Sequence, residues 1–148
     1  MMLKSVVTKQ TDGENVYYTV HWSNLREADR YSIVTSVPGM SGIFELYFMD
    51  DKKKLNLLRV QRAWFGGLRN TIRAVSDPTL EQDLKVKKIL EDSKCFYRYS
   101  VLESFKDLSD VFFFFSKTYF PERSNIESSG RFLKIFVKEI SAEKIITI

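Results

Sequence analysis

The sequence predicts an α+β domain built on a mostly antiparallel central sheet flanked by helices. Three observations carry that expectation. Two β-rich stretches, 42–49 and 55–65, are separated only by the charged turn Asp50-Asp51-Lys52-Lys53-Lys54, the usual way of joining sequential antiparallel strands. Several later segments open on capping residues and keep helical spacing. The chain is also rich in phenylalanine, with 12 in 148 residues, and large aromatic side chains suit an interface between sheet and helix.

Taken in order, Leu3 to Lys9 and Val16 to Trp22 are β-branched and aromatic. The turn chemistry of Thr11-Asp12-Gly13-Glu14-Asn15 between them reads as a hairpin. Ser23-Asn24 before Leu25-Arg26-Glu27-Ala28 offers a cap for a short helix. Tyr31 to Val37 has strand composition until Pro38-Gly39 breaks it. From Ser41 to Met49 the alternation places Phe44, Leu46 and Phe48 on one face of a strand. The partner strand, Leu55 to Phe65, places Leu58, Val60, Arg62 and Trp64 together. Gly66-Gly67 ends it, and Leu68 to Val75 is helical. Asp77 before Pro78 reads as an N-cap and first helical position, opening a helix through about Glu91. Cys95 to Val101 is a strand. Ser104 with Asp107 three residues on is a capping signal for a helix to about Tyr119, on which Leu108, Val111, Phe112, Phe115 and Tyr119 keep helical spacing. The Phe112-Phe113-Phe114-Phe115 run makes that helix apolar on more than one side, so it is expected to be the most buried. Pro121 to Gly130 is a polar loop, Arg131 to Ile140 a final strand, and Ile145 to Ile148 a candidate edge addition. No repeat, linker or composition shift divides the chain, so residues 1–148 are expected to form a single globular domain.

Composition narrows the chemistry. A chain of this length buries roughly 70% of its unfolded surface and needs no metal or disulfide to fold. One cysteine, Cys95, leaves no internal disulfide and no multi-cysteine zinc site. One histidine, His21, removes Ser-His-Asp and multi-histidine zinc chemistry within one chain. Both sit in apolar, strand-like stretches and read first as packed side chains. The N-terminus has no apolar stretch of signal-peptide length, and the run Val111 to Phe115 is far short of a bilayer span. A cytoplasmic protein with no membrane association is expected. The formal net charge of +4 is compatible with nucleic acid, whose phosphates exchange counterions for Lys and Arg.

The order strand, strand, Gly-stop, helix, helix, strand, buried helix carries a resemblance. Gly42-Ile43-Phe44 and Trp64-Phe65-Gly66 stand where the GIY-YIG nuclease domain has Gly-Ile-Tyr and Tyr-Ile-Gly, with Pro38-Gly39 ahead of the first motif. Residues Tyr31 to Asn125 resemble that domain, leaving an extra N-terminal hairpin and C-terminal strand. The resemblance implies a catalytic arginine at Arg69 or Arg73 and a metal-holding carboxylate at Asp110. It also implies an Asn125 that ends the motif one residue late after Pro121. The departures bear on activity. Phe44 and Trp64 replace the two tyrosines whose phenols act beside the attacked phosphate, and neither accepts a proton. A single Asp110 is a poor magnesium anchor, since that ion is usually held by one or two carboxylates plus phosphate oxygens. Arg73 and Asp110 are then vestigial, no cofactor is expected, and magnesium enters only if activity persists.

Each residue also has a plainer reading. Phe44 and Trp64 are cross-strand core partners, Asp110 shares a solvated helical stripe with Asp107, Gly66-Gly67 permits a tight turn, and Lys52 to Lys54 form a solvated tip. Arg62 shares a face with apolar residues, so it is paired, stacked or aimed at a ligand. Arg69 and Arg73, four apart on a helix, share a face able to grip one phosphate.

Three functions follow, in order of preference. The first is a catalytically inactive domain binding nucleic acid through Arg62, Arg69 and Arg73. The second is an interaction module for a protein partner or a second copy. The third is an active, metal-dependent phosphodiesterase in which Tyr47, Tyr97 or Tyr99 replaces the missing phenols.

Overall fold

The computed structural model describes residues 5–122 and 125–142. Its seven strands and four helices form an α+β fold with two sheets.

The hairpin expected around the charged turn is the heart of the larger sheet. β4 (Gly42–Met49) pairs antiparallel with β5 (Leu55–Ala63). The Asp50 carboxylate accepts the backbone N–H groups of Lys52 and Lys54 at 2.9 and 3.0 Å, which closes the turn locally. β6 (Cys95–Val101) pairs antiparallel on the other side of β4, and the two-residue β3 (Arg26–Glu27) pairs with β6. The order β3-β6-β4-β5 leaves β4 central, with five consecutive buried residues at its start.

Alternation divides the interior into two cores. Phe44, Leu46 and Phe48 share a face, as expected, and pack with Tyr97 and Tyr99 of β6 against three helices. These are α1 (Arg30–Ser36), α2 (Gly67–Val75) and α3 (Leu84–Asp92). Ile43 and Val60 face the opposite way, toward α4 (Phe105–Tyr119). β5 does not keep a constant face. The register slips between Leu46 and Tyr47, leaving Leu58 as the extra residue. Leu58 therefore packs in the first core while Leu57 and Val60 pack in the second.

The N-terminal hairpin and C-terminal strand combine into a second sheet. β2 (Asn15–His21) lies between antiparallel β1 (Val7–Asp12) and parallel β7 (Lys134–Ile140). α4 packs against both sheets, with Leu108, Val111 and Phe115 fully buried among Val16, Tyr18, Val20, Trp22 and Ile43. Ser104 caps it by accepting from the Asp107 N–H at 3.3 Å. Among the described residues it is the helix with most buried positions, as expected, but of the phenylalanine run only Phe115 is buried; Leu108, Asp110, Val111 and Ser116 supply the rest.

Four expectations are corrected. Residues 23–28 are not helical, because Arg26–Glu27 is drawn into a short edge strand by β6. Tyr31 to Val37 is not a strand but lies over α1, capped by Asp29, whose carboxylate accepts the Ser32 N–H at 2.8 Å. The cap and the buried Ile33/Val37 pair, four apart, outweigh the β-propensity of Ile, Val and Thr. Asp77 does not open the next helix. Its carboxylate accepts from Thr79 N and Oγ1 in a local turn, and α3 starts after a second aspartate, Asp83, which caps Lys85 and Val86. β5 stops at Ala63, so Trp64 stands outside the strand. The segment 145–148 lies outside the described residues.

Candidate functional site

The two motif aromatics, Phe44 and Trp64, lie in different cores. Phe44 is fully buried in the core beneath α1 to α3. Its antiparallel partners are Gln61 and Tyr99, not Trp64. Trp64 belongs to the second core and makes an edge contact with Phe105 at 5.2 Å. The expectation that Phe44 and Trp64 are cross-strand core partners is therefore corrected. Trp64 stands three positions beyond Gln61, the partner of Phe44, and an odd offset along extended chain turns a side chain to the opposite face of the sheet.

Gly66 and Gly67 both have positive φ, +79° and +78°. A Cβ at Gly67 would lie 2.2 Å from the Gly39 carbonyl oxygen, so only glycine lets the Pro38–Met40 loop approach. That loop then satisfies the first turn of α2, with Leu68 N donating to Met40 O and Arg69 N to Pro38 O at 2.8 and 3.2 Å. The helix start is closed by its own chain.

Asp110 is corrected most sharply. It is not on a solvated stripe but fully buried. Its Oδ1 accepts from Ser129 Oγ at 2.7 Å, and its Oδ2 from Arg131 Nη2 at 2.6 Å and Tyr18 OH at 3.4 Å. The same Arg131 Nη2 donates to Asp107 Oδ1 at 2.8 Å, where Lys9 and Tyr18 also donate at 3.0 Å. Burial pushes the Asp107 carboxyl up, but the hydrogen bonds from Arg131, Lys9 and Tyr18 outweigh it and hold the group below its ordinary range. Burial, with the Asp107 hydrogen bond and charge, pushes the Tyr18 phenol well up. Both Asp110 oxygens are taken by internal donors, an arrangement that does not fit a magnesium ion. Among the described residues no group of three or more His, Cys, Asp or Glu is placed to hold a metal. Asn125 is exposed in the loop after α4.

The substitute phenols are spent as well. Tyr47 OH donates to Glu45 Oε1, Tyr97 OH shares a hydrogen bond with Ser32 Oγ at 2.9 Å, and Tyr99 OH donates to the Ser36 carbonyl at 3.3 Å. Burial pushes all three phenols above their usual range. Glu45, on the centre of β4, is held by Arg98 Nε at 2.6 Å, and burial raises its carboxyl despite that partner.

The three arginines expected to bind together are divided between faces. Arg62 lies beside α4, donating to Ser109 Oγ at 2.9 Å with its guanidinium over the rings of Phe105 and Phe112. Arg69 donates from Nε to the Val37 carbonyl at 2.8 Å, which ties α2 to α1. Arg73 alone reaches an open feature, a polar cleft of about 300 Å³ between the start of α1 and the end of α2. Arg30, from the other side, lines the same cleft with Ser76 and Asp77. Among the described residues neither Arg30 nor Arg73 forms a salt bridge. Asp77 supplies a longer-range charge to Arg73, while its own oxygen is engaged by Thr79.

Sequence reasoning missed Arg30, Arg131 and Arg98. The one available signal was for Arg30, which follows the N-cap Asp29; the partners of the other two are distant in sequence. No helix among the described residues is long and apolar enough to cross a membrane. No curated protein and no solved structure matches this chain. Over residues 6–148 it matches, and therefore belongs to, a family described as "Uncharacterised protein".

Proposed function

We propose that this protein is a non-catalytic nucleic-acid-binding domain of the cytoplasm, with a GIY-YIG-like core whose active-site chemistry has been lost. The observation that carries the binding is the pair Arg30 and Arg73, two guanidiniums that line one cleft and form no salt bridge among the described residues. Guanidinium pairs in that position favour phosphate oxygens, because each offers a planar fork of donors. The GIY-YIG-like core is supported by the element order β4-β5-α2-α3-β6-α4, the order on which the resemblance rests. The loss of chemistry is supported by the separation of Phe44 from Trp64 and by the internal saturation of Asp110.

The test is fluorescence anisotropy with labelled oligonucleotides across a salt series. Binding by the wild type should weaken steeply as salt rises. Arg30→Ala with Arg73→Ala should lower the slope of log affinity against log salt by about 1–2, since each phosphate contact contributes about 0.7–0.9. Absence of binding at low salt would overturn the reading.

A protein-interaction role is the second reading, and one observation favours it. Phe113, Phe114, Phe132, Leu133 and Ile135 line an apolar cleft of about 410 Å³ beside α4, with Leu133 71% exposed. Concentration-dependent self-association lost in Leu133→Lys would support that role.

A further inference from the structure

The sheet β1-β2-β7 has one covered face and one open face. Successive side chains of a strand point to opposite sides. Val16, Tyr18 and Val20 of β2, with Ile135 and Val137 of β7, pack toward α4. Glu139 turns the same way, accepting from Trp22 Nε1 at 2.8 Å and from Tyr119 OH at 2.6 Å. Tyr17 of β2 and Lys134, Phe136 and Lys138 of β7 therefore stand on the other face, and all four are exposed.

An aromatic pair occupies the middle of the open face. Tyr17 and Phe136 are partners in the parallel β2–β7 register, and their rings stack 4.9 Å apart at 9°. Such a pair helps to hold a sheet together by itself. Yet the two residues stay 40% and 41% exposed. β7 is an edge strand, so no strand stands on the far side of Phe136, which has no second ring contact among the described residues. Lys134 and Lys138 flank it two positions away on either side, with Cα atoms about 13 Å apart at roughly 3.3 Å per residue. Neither lysine forms a salt bridge among the described residues. The one carboxylate that the three strands place on this face is Asp12, at the corner beyond Asn15, the register partner of Lys134.

A stacking ring between two unpaired cations on an open sheet face suits an extended polyanion that carries aromatic groups. The lysines offer charge to phosphates, and the ring offers a face to an unpaired base, which a duplex keeps inside its own stack. We infer that the open face of the β1-β2-β7 sheet binds single-stranded nucleic acid, with one base stacked on the edge-side face of Phe136 and backbone phosphates at Lys134 and Lys138. This inference rests on the nucleic-acid reading above and adds to it a surface built from different elements than the Arg30/Arg73 cleft. Binding there is tolerant of sequence, because every base has a stacking face.

The experiment titrates the full chain into a fluorescent oligouridine, an oligothymidine and a duplex of equal length across a salt series. Wild type is compared with Phe136→Ala, with Phe136→Trp, and with Lys134→Gln combined with Lys138→Gln, each fold being verified by circular dichroism. Should Phe136→Ala unfold, Phe136→Leu, which keeps bulk without a ring, takes its place. Phe136→Ala should weaken single-strand binding about 5- to 150-fold, the range expected for one lost base stack, and leave duplex binding unchanged. Phe136→Trp should bind like wild type. The double lysine variant should lower the single-strand slope of log affinity against log salt by about 1.4, at about 0.7 per phosphate. Single-strand binding unchanged in either Phe136→Ala or the lysine variant, while Arg30→Ala with Arg73→Ala is impaired, would overturn this inference and leave the nucleic-acid reading standing. Self-association in sedimentation velocity that Phe136→Ala abolishes without affecting oligonucleotide binding would also overturn it, assigning the face to a second copy. No binding to any of the three probes would overturn both.

Discussion

Asp110 Oδ2 and Arg131 Nη2 lie 2.6 Å apart, joining a fully buried carboxylate in α4 to a guanidinium from the segment before β7. The same nitrogen reaches Asp107 Oδ1 at 2.8 Å, so one arginine serves two carboxylates that lie one turn apart. The pairing fastens the C-terminal strand and its loop to the central helix. It also accounts for the position at which the resemblance implies a metal: the positive charge there is a side chain of the protein itself.

Removing Arg131 leaves Asp110 buried without a counter-charge. Arg131→Ala should therefore destabilise the fold by about 3–5 kcal/mol, the usual cost of breaking one side of a buried pair. Asp110→Ala with Arg131→Ala should cost less than the sum of the single changes, because the stranded charge is gone. Urea unfolding of the four proteins measures the cycle. Additive losses would show that the pair is not coupled.

The acid limb of stability should depend on Asp107. Its carboxyl is held below the ordinary range in the folded protein, so the unfolded chain binds its proton more readily. The stabilisation is present above about pH 4 and is lost as pH falls through the lower folded value. Asp107→Asn should therefore lose less stability than wild type on acidification below about pH 4. Parallel melting curves from pH 7 to pH 2 decide the matter, and identical slopes would count against it.

Wild-type protein should leave labelled DNA and RNA uncut in magnesium or manganese. A positioned general base typically contributes about 10²–10⁴-fold in rate, and the two positions that would supply phenols are phenylalanine and tryptophan in separate cores. Phe44→Tyr with Trp64→Tyr should restore nothing. The Phe44 change should also cost about 1–3 kcal/mol, because its new hydroxyl enters an apolar core. Metal-dependent cleavage that vanishes in Asp110→Ala would show a working site.

Gly67 and Gly130 separate two effects of glycine. Both have positive φ, but a Cβ meets the Gly39 carbonyl at 2.2 Å at Gly67 and nothing within 4 Å at Gly130. Gly130→Ala should cost about 1–2 kcal/mol from backbone conformation alone. Gly67→Ala should cost distinctly more, since the loop that closes α2 must also move. Equal losses by thermal unfolding would mean that the loop yields freely.

Local structure is legible in the residues wherever its cause is itself local. The β4–β5 hairpin follows from alternation and the Asp50 turn, α4 from the Ser104 cap and its apolar spacing, and β6 is legible from Cys95 to Val101. The caps of α1 and α3 are equally local: Asp29 and Asp83 each stand a few residues after a competing polar signal, Ser23-Asn24 and Asp77-Pro78. Which side chains meet depends instead on packing between elements. The bulge at Leu58 reverses one face of β5, and β7 joins β2 across more than a hundred residues. Asp110 is exposed by helical periodicity but buried in fact, because the second sheet and Arg131 cover the side of α4 that periodicity assigns to water. Arg30 and Arg73 share a cleft because the hydrogen bond from Arg69 Nε to the Val37 carbonyl and the Gly39–Gly67 contact hold α1 against α2. Propensity and capping act over a few residues, whereas a binding cleft depends on contacts between elements far apart in the chain.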